Sequence, residues 1–222
     1  MFEDFATIDL ISDGRAEIVA GRASRVGLFA LLGYDVSDYE ELFEEKFELL
    51  LQINEEEIVN WSGRFRAPLR NAKVIPRPKE GRLPIWRAVG GPPASAIKAG
   101  YQGVPMYLAT LGGTASTFKI SIDAYRDALS EAGHNPEEYP VATAGFFYTA
   151  ETTQQALKEA FPHIDQGMRL INGHGFSKRA FVQVQDTRSV MNIGSPQQII
   201  EKILGECKIF CVNRNALNNV HR

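Results

Sequence analysis

Apolar residues alternate along this chain between short runs and spaced stripes. Residues 16–21 (AEIVAG) form a brief apolar run bounded by Asp13-Gly14 and by Gly21, the pattern of a buried strand. Residues 38–53 (DYEELFEEKFELLLQI) predict a helix. Leu42, Phe43, Phe47, Leu50 and Leu51 make its apolar stripe, and Glu40, Glu41, Glu44, Glu45 and Glu48 read as a solvated face opposite. Ser37 or Asp38 can cap its start. Residues 55–84 read as loop, with room for a small hairpin around Trp61-Ser62-Gly63-Arg64-Phe65. Residues 85–89 (IWRAV) predict a strand running into Gly90-Gly91, and Pro92-Pro93 then opens a helix through Ala99. Further strands are predicted over 105–110 and 141–148. Helices are predicted over 116–132, over 152–170 with Pro162 inside, and over 195–204 with Ser195 as cap. Strands alternating with helices through short glycine-rich turns imply parallel βαβ units. Both an open doubly wound sheet and a (β/α)8 barrel fit that order, and four or five units are too few to close a standard eight-stranded barrel.

The 222 residues carry a net charge of −3, with 44% hydrophobic and 23% charged residues. No basic surplus exists to neutralise a polynucleotide backbone, so nucleic acid is an unexpected partner. No apolar run approaches the roughly 18–20 residues of a membrane span, so no membrane is expected. The acidic start MFEDFATIDLISDG lacks the basic region of a signal peptide. Two cysteines, Cys207 and Cys211, make no disulfide framework, and a cytoplasmic setting is expected. Zinc-type H-E-x-x-H and paired C-x-x-C motifs are absent, as are the P-loop, the G-x-G-x-x-G fingerprint and the G-x-S-x-G elbow. No metal site is predicted.

In parallel α/β folds, chemistry gathers where strands end and helices begin. Three such places stand out. Gly21-Arg22-Ala23-Ser24 follows the first strand, where a guanidinium fork and a hydroxyl suit a phosphate; a surface ion pair is the plainer reading of Arg22. Gly90-Gly91-Pro92-Pro93-Ala94-Ser95 lets a ligand approach the backbone and then offers the N–H groups of a helix start to an anion, with Ser95 in the first turn. A tight turn needs the same glycines. Leu111-Gly112-Gly113-Thr114 could approach a flat ring and reads more simply as a turn. The four histidines, His134, His163, His174 and His221, sit away from strand ends, and no catalytic residue is assigned.

Several tracts together resemble the bacterial-luciferase-like family of flavin-dependent monooxygenases. They are Ile8-Asp9-Leu10-Ile11-Ser12-Asp13-Gly14-Arg15, Val19-Ala20-Gly21-Arg22, Gly33-Tyr34-Asp35, Tyr39-Glu40-Glu41-Leu42-Phe43, Trp61-Ser62-Gly63-Arg64-Phe65-Arg66, Pro84-Ile85-Trp86, Gly100-Tyr101-Gln102-Gly103-Val104-Pro105-Met106 and Gly194-Ser195-Pro196-Gln197-Gln198. The resemblance runs in order over residues 3–204. It implies a (β/α)8 barrel that binds reduced FMN, and in some members F420, and oxygenates an aldehyde or another small organic substrate with O₂. FMN is favoured by the family's usual habit. A separate flavin reductase supplies the reduced cofactor, and homo-oligomers are expected. Carried over by position, the resemblance assigns Arg22, Ser24, Gly90, Gly91 and Ser95 to the cofactor phosphate. Some relatives have an acidic residue and serine where this chain has Gly91-Pro92, a difference that removes a side-chain contact and an N–H donor.

Family members carry about three strand–helix units before the Asp9-Leu10-Ile11-Ser12 tract, and here eight residues precede it. Those units supply the strands beneath the flavin ring, a catalytic histidine and much of the dimer interface. The fold expected is therefore an incomplete (β/α)8 barrel holding about strands 4 to 7 or 8, over residues 1–205, followed by a divergent tail over 206–222. Open strand edges and uncovered apolar faces then predict poor stability, oligomerisation or reliance on a partner. The alternatives to an active monooxygenase are a non-catalytic flavin-binding protein and a non-functional fragment.

Overall fold

Helix α1 (Phe2–Ile11) opens the structure, a computed structural model that describes residues 1–22, 27–90 and 92–210, with Asn172 described in its backbone alone. The chain forms two compact units, Met1–Ala88 and Val89–Arg222. The pattern of apolar positions did not predict α1, whose stripe is thin: Phe2 and Ala6 are buried, while Ile8, Leu10 and Ile11 face outward. A polar residue anchors it instead. The buried Asp9 carboxylate accepts the N–H of Ala16 at 3.1 Å and of Lys79 at 2.9 Å, tying α1 to two distant stretches of backbone.

Strand β1 (Ile18–Ala20) follows, then the short helix α2 (Gly27–Leu31) and the long helix α3 (Tyr39–Glu55). The predicted stripe of α3 is buried at Leu42, Phe47 and Leu50, with Phe43 and Leu51 half-buried and Leu49 buried beside it; Phe43 stacks on Phe47 with centroids 5.5 Å apart. Asp38 stands at the N-cap of α3 as expected but makes no side-chain cap bond, while Asp35 caps the turn ahead of it by accepting the Ser37 N–H. Arg77 closes the other end by donating to the carbonyls of Ile53, Asn54 and Glu56, which a helix terminus leaves without partners. The glutamate face of α3 corrects the sequence reading. Glu44 grips the buried Arg87 through two bonds of 2.8 and 2.6 Å, and Glu45 accepts the N–H groups of Arg64 and Phe65. Those two glutamates are structural ties and not a solvated surface.

The expected hairpin is present as β2 (Ile58–Trp61) paired antiparallel with β3 (Leu69–Lys73). Strand β4 (Ile85–Val89) falls where predicted and lies parallel to β1, Ile18 opposite Ile85 and Ala20 opposite Arg87. Four of its five residues are buried, as a strand covered on both faces requires.

In the second unit, helix α4 (Pro93–Tyr101) packs on α5 (Ala115–Glu131), with β5 (Met106–Ala109) between them in sequence. A Cβ on Gly100 would stand 2.6 Å from the Tyr125 carbonyl oxygen, so the absence of a side chain sets the closeness of the two helices. Strand β6 (Val141–Ala144) pairs parallel with β5. The single strand predicted over 141–148 is two: after Gly145 the chain changes partner, and β7 (Phe147–Thr149) pairs with β8 (Asn192–Gly194). A Cβ on Gly145 would meet the Thr110 carbonyl at 2.8 Å and the Val190 carbonyl at 3.2 Å, so this glycine is squeezed between two segments where the strand breaks. Helix α6 (Thr153–Asn172) runs through Pro162, with Thr152 accepting the Gln155 N–H at its start. The short helix α7 (Lys178–Val182) closes an apolar cluster of Ala156, Ala160, Phe181, Val184, Met191 and Ile193. Helix α8 (Pro196–Phe210) extends past the predicted end at 204 and past the expected boundary at 205, with Glu206 and Phe210 buried. Residues 211–222, including Cys211 and His221, lie outside the described residues.

Candidate functional site

Strand β1 ends at Ala20, and the chain turns through Gly21 into Arg22. A cavity of about 490 Å³ opens along this strand, between residues of α1, α2 and α3. Its walls are apolar and aromatic, and its polar lining residues include Arg22, Lys46, Tyr34 and Tyr39. That is the usual make-up of a small-molecule site: an apolar body with a few orienting groups. The described lining residues include no histidine, cysteine, aspartate or glutamate, so none of those proton carriers stands within it.

Arg22 lies over the Phe43 ring at 4.7 Å and pairs with Glu40 at 2.7 Å and Glu44 at 3.5 Å. The sequence reading left phosphate contact and ion pair as alternatives, and the ion pair is what the structure displays. The two glutamates differ in what their exchange would cost. Glu40 is 60% exposed, so its pair contributes up to about 1 kcal/mol and a phosphate can take its place cheaply. Glu44 is held in two bonds by Arg87, which has no exposed surface and lies over Phe43 and Phe47. Glu44 therefore stays, and it fixes the Arg22 side chain on the ring. Ser24 lies outside the described residues.

In the second unit, Gly90 precedes α4 and has open space where a Cβ would stand, while Gly91 lies outside the described residues. Helix α4 starts at Pro93 with Pro92 as N-cap, no side-chain cap and no acidic residue in its first turn. Ser95 sits in that turn. The Gly112-Gly113-Thr114 turn is tied to a later segment: Val190 donates to the Gly113 carbonyl, and Thr114 bridges to Ser189. His134 packs against Tyr139 with its Nδ1 3.3 Å from the phenol oxygen, and His163 and His174 are exposed on helix and loop. Among the described residues no cluster of three or more His, Cys, Asp or Glu could hold a metal, and no helix is long and apolar enough to cross a membrane.

One polar cluster escaped the sequence reading. Lys202 of α8 has no exposed surface and donates to the carbonyls of Val184, Met191 and Ile193 at 2.5, 2.8 and 3.3 Å. Burial pushes its ammonium down to about 8. Glu206, one turn later, is pushed up to about 7 by burial, against a hydrogen bond from Asn192 and the charge of Lys202. The signal available in sequence was the i, i+4 spacing of Lys202 and Glu206, which reads equally as a surface pair.

The luciferase-like monooxygenase family model matches residues 1–208. No curated protein matches the chain significantly. Among solved structures, a monooxygenase from Streptomyces bottropensis superposes with a TM-score of 0.78 at 24% identity, covering 94% of this chain and 62% of its own. An F420-dependent secondary alcohol dehydrogenase in complex with an F420–acetone adduct gives 0.72 at 16% identity, covering 93% and 65%. The oxygenating constituent of 3,6-diketocamphane monooxygenase from Pseudomonas putida, in complex with FMN, gives 0.67 at 17%, covering 94% and 65%. The chain thus spans less than two thirds of the length of these neighbours, and its parallel strands and helices are an incomplete barrel of their type. A match over residues 1–208 of 222 places this chain in the luciferase-like monooxygenase family.

Proposed function

We propose that the chain serves a flavin-dependent monooxygenase that uses reduced FMN and O₂ to oxygenate an aldehyde or another small organic substrate. The observation that carries this reading is the apolar cavity along β1 with Gly21 and Arg22 at the strand's carboxyl end. Barrel enzymes place their chemistry at that end. When bound, the reduced flavin supplies the electrons that activate O₂, and the protein's part is binding, orientation and exclusion of water.

The residues present fit a phosphate-bearing cofactor. Arg22 can exchange the exposed Glu40 for phosphate while Glu44 and Phe43 keep its side chain in place. The start of α4 presents a first turn without an acid or a side-chain cap, with Ser95 as hydroxyl donor. The proposed phosphate set remains Arg22, Ser24, Gly90, Gly91 and Ser95. FMN is preferred over F420 on the family's habit, and neighbours of both kinds support a flavin or deazaflavin. The same reading gives a separate flavin reductase as partner, a homo-oligomer and a cytoplasmic setting.

A cavity lining without histidine, carboxylate or thiol among its described residues supports a second reading, a flavin-binding chain without turnover. Substrate-dependent consumption of reduced FMN and O₂ separates the two. Turnover establishes the monooxygenase; flavin binding without turnover establishes the second reading.

A further inference from the structure

The apolar stripe of α3 carries one cation. Lys46 has Leu42, Phe43, Leu49 and Leu50 as its helix neighbours three and four residues away, and none of them is acidic. The adjacent Glu45 is spent on the N–H groups of Arg64 and Phe65. Among the described residues Lys46 makes no ion pair; its Nζ donates to the Tyr34 hydroxyl at 2.8 Å and stands 4.9 Å from that ring's centre. Arg22, at the same cavity, is offset by Glu40 and Glu44. The positive charge left uncompensated on the lining is that of Lys46.

The walls opposite this charge are rings. Phe5, Phe29, Tyr34, Tyr39, Phe43 and Phe47 all line the cavity, with Phe29 and Tyr39 5.6 Å apart and Phe43 stacked on Phe47. Aromatic walls favour a flat aromatic guest through offset and edge contacts. A volume of about 490 Å³ is ample for one or two fused rings.

We propose that this cavity binds an aromatic carboxylate, with its ring system against the apolar and aromatic lining and its carboxylate on Lys46 and the Tyr34 hydroxyl. The proposal rests on the cavity of the functional reading and names the class of organic substrate it would take; an assay without flavin lets either fail without the other.

The test is calorimetric titration of the full chain, without flavin, using 2-naphthylacetate and the matched alcohol 2-naphthylethanol. The acid is expected to bind roughly fivefold more tightly than the alcohol, the effect of one exposed charge pair. Lys46→Met should remove that preference while leaving the alcohol's affinity unchanged, and Lys46→Arg should keep it. Leu32→Trp fills the cavity from a residue that is largely exposed, so folding is not at risk, and it should weaken both ligands together. Equal binding of acid and alcohol, no binding of either, or a preference unchanged in Lys46→Met overturns the proposal. Self-association that buries the cavity and excludes both ligands overturns it in favour of a second copy as the occupant.

Discussion

Among the described residues each unit buries one cation, Arg87 in the first and Lys202 in the second, and the two are stabilised in opposite ways. In Met1–Ala88, Arg87 is met by a bidentate carboxylate and two aromatic faces. In Val89–Arg222, Lys202 is met by three backbone carbonyls, and Glu206, one turn later, acts on it through charge alone. A guanidinium remains charged throughout the working pH range, so the first arrangement is fixed. A buried ammonium can lose its proton, and Lys202 and Glu206 are pushed toward each other, to about 8 and about 7. The second unit therefore carries two groups pushed toward neutrality from opposite sides.

The largest break in this comparison is Arg87→Met. It strips Glu44 of its two-bond partner, leaving Arg22 at 3.5 Å, and should destabilise the protein by about 3 kcal/mol in chemical denaturation. Replacing both partners, Arg87→Met with Glu44→Leu, should recover most of that loss, because a well-packed apolar pair substitutes for a buried ion pair. Lys202→Met should cost less, about 1–3 kcal/mol, through carbonyls left without a donor.

The pH dependence sharpens the same contrast. Glu206 binds its proton more tightly folded than unfolded, so its contribution to stability falls as pH rises from the ordinary 4.5 to about 7. Lys202 binds its proton less tightly folded, so its burial is unfavourable below about 8 and is relieved as pH climbs toward 10.5. Together they place a shallow minimum near pH 7–8. Glu206→Gln should flatten the descending arm between pH 5 and 7, by on the order of 2 kcal/mol, in melts run across pH. A slope unchanged in that variant would assign the pH response to other groups.

The ease of reading the sequence also differed by element. Strand β4 and helix α3 were legible because their apolar positions follow one clear period. Helix α1 was not, because Asp9 anchors it by hydrogen bonds to Ala16 and Lys79 that leave no periodic trace. The split of 141–148 into β6 and β7 depends on which neighbour each half meets, a long-range choice that local composition does not carry. At the candidate site, the position of Arg22 after β1 was legible. Its ring contact, its glutamates and the cavity beside it were not, since these come from α3, brought there by the fold. The glutamate face misled for the same reason: a carboxylate facing water and one facing a buried arginine occupy equivalent positions on a helical wheel.

Flavin binding through Arg22 is checked by fluorescence titration of the wild-type chain with FMN and with F420, repeated on Arg22→Ala. Saturable FMN binding is expected, with an affinity about tenfold lower in the variant, the loss of one charge-assisted contact, and with both proteins melting as folded species. Failure of the folded wild-type chain to bind either cofactor, or an affinity unchanged in Arg22→Ala, would contradict flavin binding through Arg22.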